Sequence, residues 1–202
     1  QGGYAVASHI RILDGGPVPD YVHYHKILFQ MIYCYKGWAR LVYEDQGEPF
    51  VIEAGDCVLQ PPHIRHQVLE SSQGMEVIEL TCPADHETCV DHELELPTSS
   101  VNPERLFNGQ HFIRHEAAKA EWKPWRMEGF EARDIGIATA TDGLAGVHVA
   151  RPVGQPHSEF FSHDADLLFT FLLSGSAEFN CDQKDSELLT AGDSFIVPGN
   201  MK

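Results

Sequence analysis

The segment Gly192-Asp193-Ser194-Phe195-Ile196-Val197-Pro198 repeats Gly55-Asp56-Cys57-Val58-Leu59-Gln60-Pro61 at an offset of 137 residues. Upstream, Phe169 to Leu173 followed by Ser174-Gly175 repeats Met31 to Tyr35 followed by Lys36-Gly37, at an offset of 138. Two blocks in the same order and at the same spacing imply an internal duplication, and hence two similar units in tandem. Each block is a short apolar run bounded by a Gly-containing turn, the pattern of a β-strand rather than a helix. Frequent Gly and Pro and the lack of long helical periodicity extend that reading to an all-β chain. With 43% hydrophobic residues over 202 positions there is ample material for a packed core.

The first copy carries the chemistry. His23-Tyr24-His25 precedes the strand-like run Met31 to Tyr35, and histidines at i and i+2 of an extended strand project from the same face. Both imidazoles therefore face one point. A third imidazole from a neighbouring strand and an amide oxygen would complete a small nitrogen-rich site, of the kind that suits zinc, copper, iron and nickel.

The ordered series His23, His25, Gln30, Gly37, Gly55, Pro61 and His66 resembles the two signature motifs of the cupin superfamily. His23 and His25 match the paired histidines of the first motif and Gly37 its closing glycine. Gly55, Pro61 and His66 match the glycine, proline and histidine of the second. Gln30 stands where the family has glutamate, His63 where the second motif has its internal glycine, and Leu69 or Glu70 where asparagine is typical. The resemblance implies a bicupin, with two tandem jelly-roll (double-stranded β-helix) barrels. The expected division is residues 1–84 for a first barrel with a metal site, 85–128 for a polar linker with one short helix, and 129–202 for a second barrel. The short helix is expected at residues 115–122, stopped by Pro124. His23, His25 and His66 are the implied metal ligands. Gln30 is implied either as a weak fourth ligand or as a hydrogen-bonding partner of one. Tyr33, Arg40 and His63 are further candidates for orienting substrate or moving a proton.

The second copy has lost most of this set. Counted back from Gly175, the paired-histidine positions are Phe161 and His163, and the Gln30 position is Leu168. His163 is the candidate ligand there, with Asp164 or Asp166 as helpers, while His157 lies too far upstream to substitute. One imidazole binds a metal weakly, since zinc sites use three or four protein ligands, so the second barrel is expected to be degenerate. The counterpart of His66 falls one position past Lys202. The second barrel is therefore incomplete in this chain, and a natural protein continuing roughly 25–35 residues would restore strands whose loss exposes sheet edges.

Fourteen basic residues against thirty acidic give a formal charge of −16. That balance argues against nucleic acid, which needs a basic face. Cys34, Cys57, Cys82, Cys89 and Cys181 are odd in number and scattered, which favours a reducing cytoplasm over a disulfide framework. No apolar run approaches the ~18 residues of a membrane span.

The resemblance implies a metal-dependent dioxygenase acting on a small phenolic, diketone or organic-acid substrate. Iron is the first expectation for its metal, with zinc, nickel and manganese as alternatives, and a homodimer is implied by analogy. Two other readings stay open: a redox-neutral metal-dependent isomerase or lyase, and a non-enzymatic small-molecule-binding cupin.

Overall fold

The computed structural model describes residues 3–154, 162–180 and 186–199. His157, Phe161, Cys181 and Lys202 lie outside the described residues. The chain divides into two compact units, residues 2–156 and 157–202.

The first unit opens with β1 (Val6–Ile12), β2 (Gly16–Pro17), β3 (His23–Lys26), β4 (Phe29–Lys36) and β5 (Trp38–Tyr43). It continues with β6 (Phe50–Glu53), β7 (Cys57–Leu59), β8 (His66–Ser71), β9 (Met75–Cys82) and β10 (Glu87–Val90). Three short strands follow: β11 (Leu106–Phe107), β12 (Gln110–His111) and β13 (Ile113–His115). After a 3-10 turn at Ala117–Lys119 come β14 (Lys123–Pro124), β15 (Phe130–Asp134), the single-turn helix α1 (Ile137–Ala140) and β16 (His148–Pro152).

Two sheets make the barrel. One runs β1-β9-β4-β7-β13, and the other β10-β3-β8-β5-β6 with β2 on the flank of β8. Cys34, Val58 and Val77 of the first sheet meet Ala39, Leu41, Tyr43 and Ile52 of the second in one core, closed by Ile64, Met75 and Phe107. Full burial of a side chain such as Tyr43, Ile52 or Ile64 stabilises the fold by about 1.5–3 kcal/mol. β4 is apolar on both faces because both are covered. Ile32 and Cys34 face this core, while Tyr33 on the other face is buried with its hydroxyl accepting a bond from Arg133 at 3.3 Å.

The boundaries expected at residues 84 and 128 fall inside this unit. β10 pairs with β3, and β13 pairs with β7, so the polar stretch expected as a linker contributes two edge strands to the barrel sheets. Polar composition there reflects one solvent-facing side of an edge strand rather than a free connection. The expected short helix reduces to the 3-10 turn. β15 and β16 pair with each other and are tied to the barrel by Arg133, which donates to the Gly55 carbonyl at 2.8 Å.

The second unit, described by itself, contains β17 (Leu167–Phe171), β18 (Ser176–Phe179), β19 (Glu187–Thr190) and β20 (Ser194–Pro198). β17 pairs with β20 and β18 with β19. The duplication persists at the level of register. Phe169 opposes Ile196 as Met31 opposes Leu59, and Ala177 opposes Leu189 as Ala39 opposes Ile52. The turn is repeated too, since Gly192 N–H donates to the Leu172 carbonyl at 2.8 Å as Gly55 N–H donates to that of Cys34 at 2.8 Å. The architecture is all-β, one jelly-roll barrel followed by part of a second.

Candidate metal centre

β3 lies between β10 and β8, and its register places His23 directly opposite His66. Alternation then brings His25 to the same face two residues on. One ligand atom from each of His23, His25 and His66 lies within 4.8 Å of the other two. The ring centroids are 5.2 Å apart for His23 and His25, 4.3 Å for His23 and His66, and 5.3 Å for His25 and His66.

Each ring is held from behind through Nδ1. That of His23 lies 2.8 Å from the Tyr21 carbonyl, that of His25 2.9 Å from Thr88 Oγ1, and that of His66 3.0 Å from the Ile64 carbonyl. Acceptors at Nδ1 favour the Nδ1–H tautomer and leave the Nε2 lone pair for a ligand, the arrangement of metal-binding histidines. Burial pushes the His25 imidazole down to about 4, helped by His23 and His86. Burial also drives His66 down to about 3, with His23 adding to it. Both rings are thus neutral near pH 7 with their lone pairs free of protons. The donor set fits a borderline transition metal, for which imidazole is a natural ligand.

Gln30 has both ends of its side-chain amide engaged by protein partners. It is 2% exposed. Its Oε1 accepts from Gln60 Nε2 at 3.2 Å, and its Nε2 donates to Glu79 Oε1 at 2.5 Å. Gln60 Nε2 also lies 3.1 Å from His66 Nε2, and Gln60 Oε1 accepts the Tyr43 hydroxyl at 2.8 Å. Burial raises the Tyr43 phenol far above its usual value, so it remains a donor.

The other three candidates point elsewhere. Tyr33 is an odd number of residues from Gln30 and occupies the opposite face of β4, against Arg133. Arg40 is at the surface, 3.7 Å from Glu70. His63 has φ +66, the left-handed conformation that suits the glycine expected there. Its backbone N–H donates to the His25 carbonyl at 3.1 Å, and its ring lies 5.6 Å from that of Tyr24, on the far side of β3 from the triad. His163 joins no cluster of three ligand side chains among the described residues.

Four residues at the site carry no motif. Thr88 orients His25 from a strand 63 positions away, Gln60 directly follows β7, and Glu79 sits within β9. His86 places its ring 5.4 Å from that of His25, within the stretch that reads as a solvated connection. The pairing of β10 with β3 is what brings Thr88 to the site, and no local sequence signal announces it.

No protein-family model matches the sequence, and no curated protein matches it. Solved structures do share the fold. A mutant form of Bacillus subtilis oxalate decarboxylase OxdC aligns at TM-score 0.63 and 15% identity, over 99% of this chain and 64% of that one. A putative glyoxylate-induced protein from Pseudomonas aeruginosa aligns at TM-score 0.65 and 12% identity, over 97% of this chain and 67% of that one. The chain thus spans about two thirds of the length of either. At such identities the likeness is one of fold, the cupin jelly roll. No helix among the described residues is long and apolar enough to cross a membrane.

Proposed function

We propose that this chain is a metal-dependent cupin enzyme in which His23, His25 and His66 hold one divalent transition-metal ion, and that it is a dioxygenase acting on a small phenolic, diketone or organic-acid substrate. The neutral three-imidazole triad carries this reading, with an amide and not a carboxylate at position 30. A bound iron ion would supply redox chemistry with dioxygen and a positive centre for a substrate with paired oxygen donors. Three neutral ligands leave that positive charge largely uncompensated, which favours an anionic, chelating substrate.

The residues of the chain do the positioning. The carbonyls of Tyr21 and Ile64 and the hydroxyl of Thr88 fix the three rings, so little reorganisation accompanies binding. The buried Tyr43 ring stacks on that of His66 with centroids 5.5 Å apart, while His23 and His25 are half-buried. The second unit serves in this reading as a degenerate second cupin barrel. The partner is a small molecule, and a homodimeric, cytoplasmic protein belongs to the same proposal.

A redox-neutral metal-dependent lyase is the second reading, favoured by the fold shared with Bacillus subtilis oxalate decarboxylase, a protein with Mn(II) centres. Oxygen uptake by the iron-loaded and manganese-loaded chain, measured with small phenols, diketones and dicarboxylic acids, separates the two. Substrate-dependent oxygen consumption with iron supports the dioxygenase. Turnover of an acid without net oxygen consumption supports the lyase and overturns the first reading.

A further inference from the structure

Glu79 lies on the barrel side of β9. Met75 and Val77, on the same face of the strand by alternation, belong to the core between the two sheets. Glu76 of the same strand faces the other way and is ringed by His9, Arg11 and Lys36. Buried Asp45 has Arg105, and buried Asp56 accepts the backbone N–H groups of Glu53 and Ala117. Half-buried Glu79 has no cation partner among the described residues. Among the described residues its hydrogen-bond donor is Gln30 Nε2, at 2.5 Å.

From Gln30 the contacts continue without a break. Gln30 Oε1 accepts from Gln60 Nε2 at 3.2 Å, and Gln60 Nε2 lies 3.1 Å from Nε2 of His66. In the metal-free chain an N–H of Gln60 thus rests on the His66 Nε2 lone pair that an ion would take, and Glu79 fixes the two buried amides that lead to it. A half-buried carboxylate without a counter-ion is unfavourable. A divalent ion on three neutral imidazoles has the opposite imbalance. Each charge compensates the other inside the barrel, where screening by water is weak.

We infer that Glu79 is the charge-balancing carboxylate of the three-histidine centre, acting by its charge and by holding the amides of Gln30 and Gln60 in place, as a positioning residue and not as a ligand. The inference rests on the metal reading above. It accounts for glutamine at position 30, because the negative charge that the cupin motif places there stands here on the adjacent strand, one hydrogen bond further from the triad.

The test is a titration of the metal-free full chain with Mn(II), following free ion by electron paramagnetic resonance, together with the melting temperature of each metal-free variant. Glu79→Gln weakens Mn(II) binding on the order of 10- to 100-fold, the usual effect of losing a group that supports a metal ligand. Its metal-free melting temperature is unchanged or raised, since an uncompensated charge has been removed. The double variant Glu79→Gln/Gln30→Glu, which moves the carboxylate one step along the same line, regains affinity. Unchanged affinity in Glu79→Gln overturns the inference and leaves the metal reading standing. A fall in metal-free melting temperature without rescue by the double variant also overturns it, by showing a merely structural role. A wild-type chain that binds neither Mn(II) nor Fe(II) overturns the metal reading itself.

Discussion

His23 and His66 oppose each other across the antiparallel pair β3–β8, with ring centroids 4.3 Å apart. This cross-strand pair fixes the site: His25 follows by alternation on one strand, while His66 is the first residue of the other. Two rings face each other before any ion is considered, and both have Nδ1 engaged by a backbone carbonyl.

Replacing His25 by Ala removes one of three ligands and none of the core. His25→Ala is expected to lose stoichiometric metal while keeping the far-ultraviolet circular dichroism of the parent. Metal-induced stabilisation, about 4 kcal/mol at a free concentration a thousand times Kd, disappears with it. Full occupancy of the variant contradicts the ligand assignment.

Thr88 lies directly opposite His25 across the β3–β10 pair, with its Oγ1 2.9 Å from His25 Nδ1. Thr88→Val keeps the β-branched shape suited to a strand and deletes the acceptor, so metal affinity falls roughly 10-fold or more. Thr88→Ser retains the hydroxyl and retains most of the affinity. Chelator competition measures both, and equal losses in the two variants would rule out the hydrogen bond as the cause.

How much of this was legible in the sequence depends on the range of the contact. The His23/His25 pair, the Gly55-Asp56 turn and their repeat at Gly192-Asp193 are local patterns, and local geometry reproduces them in the structure. The parity rule along β4 would also have removed Tyr33, which is three residues from Gln30 and so on the opposite face. Thr88, Gln60 and Glu79 were not legible, because each reaches the site only through strand pairing. The stretch 85–128 misled for a related reason. Edge strands with one wet side are polar in composition, and β10 and β13 read as loop.

The pH dependence of stability centres on Glu76. Burial works to raise its carboxyl, but hydrogen bonds from His9, Lys36 and Arg11 outweigh this and hold it at about 2 against a usual 4.5. Because the folded-state value is the lower one, the contribution is complete above about pH 4.5 and is lost as the pH falls towards 2. Melting temperature is expected to drop across that window in the wild type and to change less steeply there in Glu76→Gln. Parallel curves for the two proteins would show that other groups govern acid unfolding.

The duplicated turns offer an internal control. Gly55 and Gly192 have φ +101 and +97, a region costly for any residue with a Cβ. A Cβ at Gly55 would lie 3.0 Å from Ala117 Cβ and 3.3 Å from Arg133 Nη2, whereas one at Gly192 meets nothing within 4 Å. Gly192→Ala is expected to cost about 1–2 kcal/mol from the backbone alone, and Gly55→Ala about 1 kcal/mol more from crowding. Hydrogen exchange of peptides spanning residues 53–59 and 190–196 reads the two turns separately. A larger effect at Gly192 would contradict the packing described around Gly55.

Whether the three histidines hold a metal is tested most directly by the metal content of the chain purified without an affinity metal column, for the wild type and for the triple variant His23→Ala/His25→Ala/His66→Ala. The wild type is expected to carry close to one equivalent of a divalent transition metal and the triple variant none, with both proteins folded. A metal-free wild type that takes up no added ion, or a triple variant that keeps its metal, would contradict the three-histidine assignment.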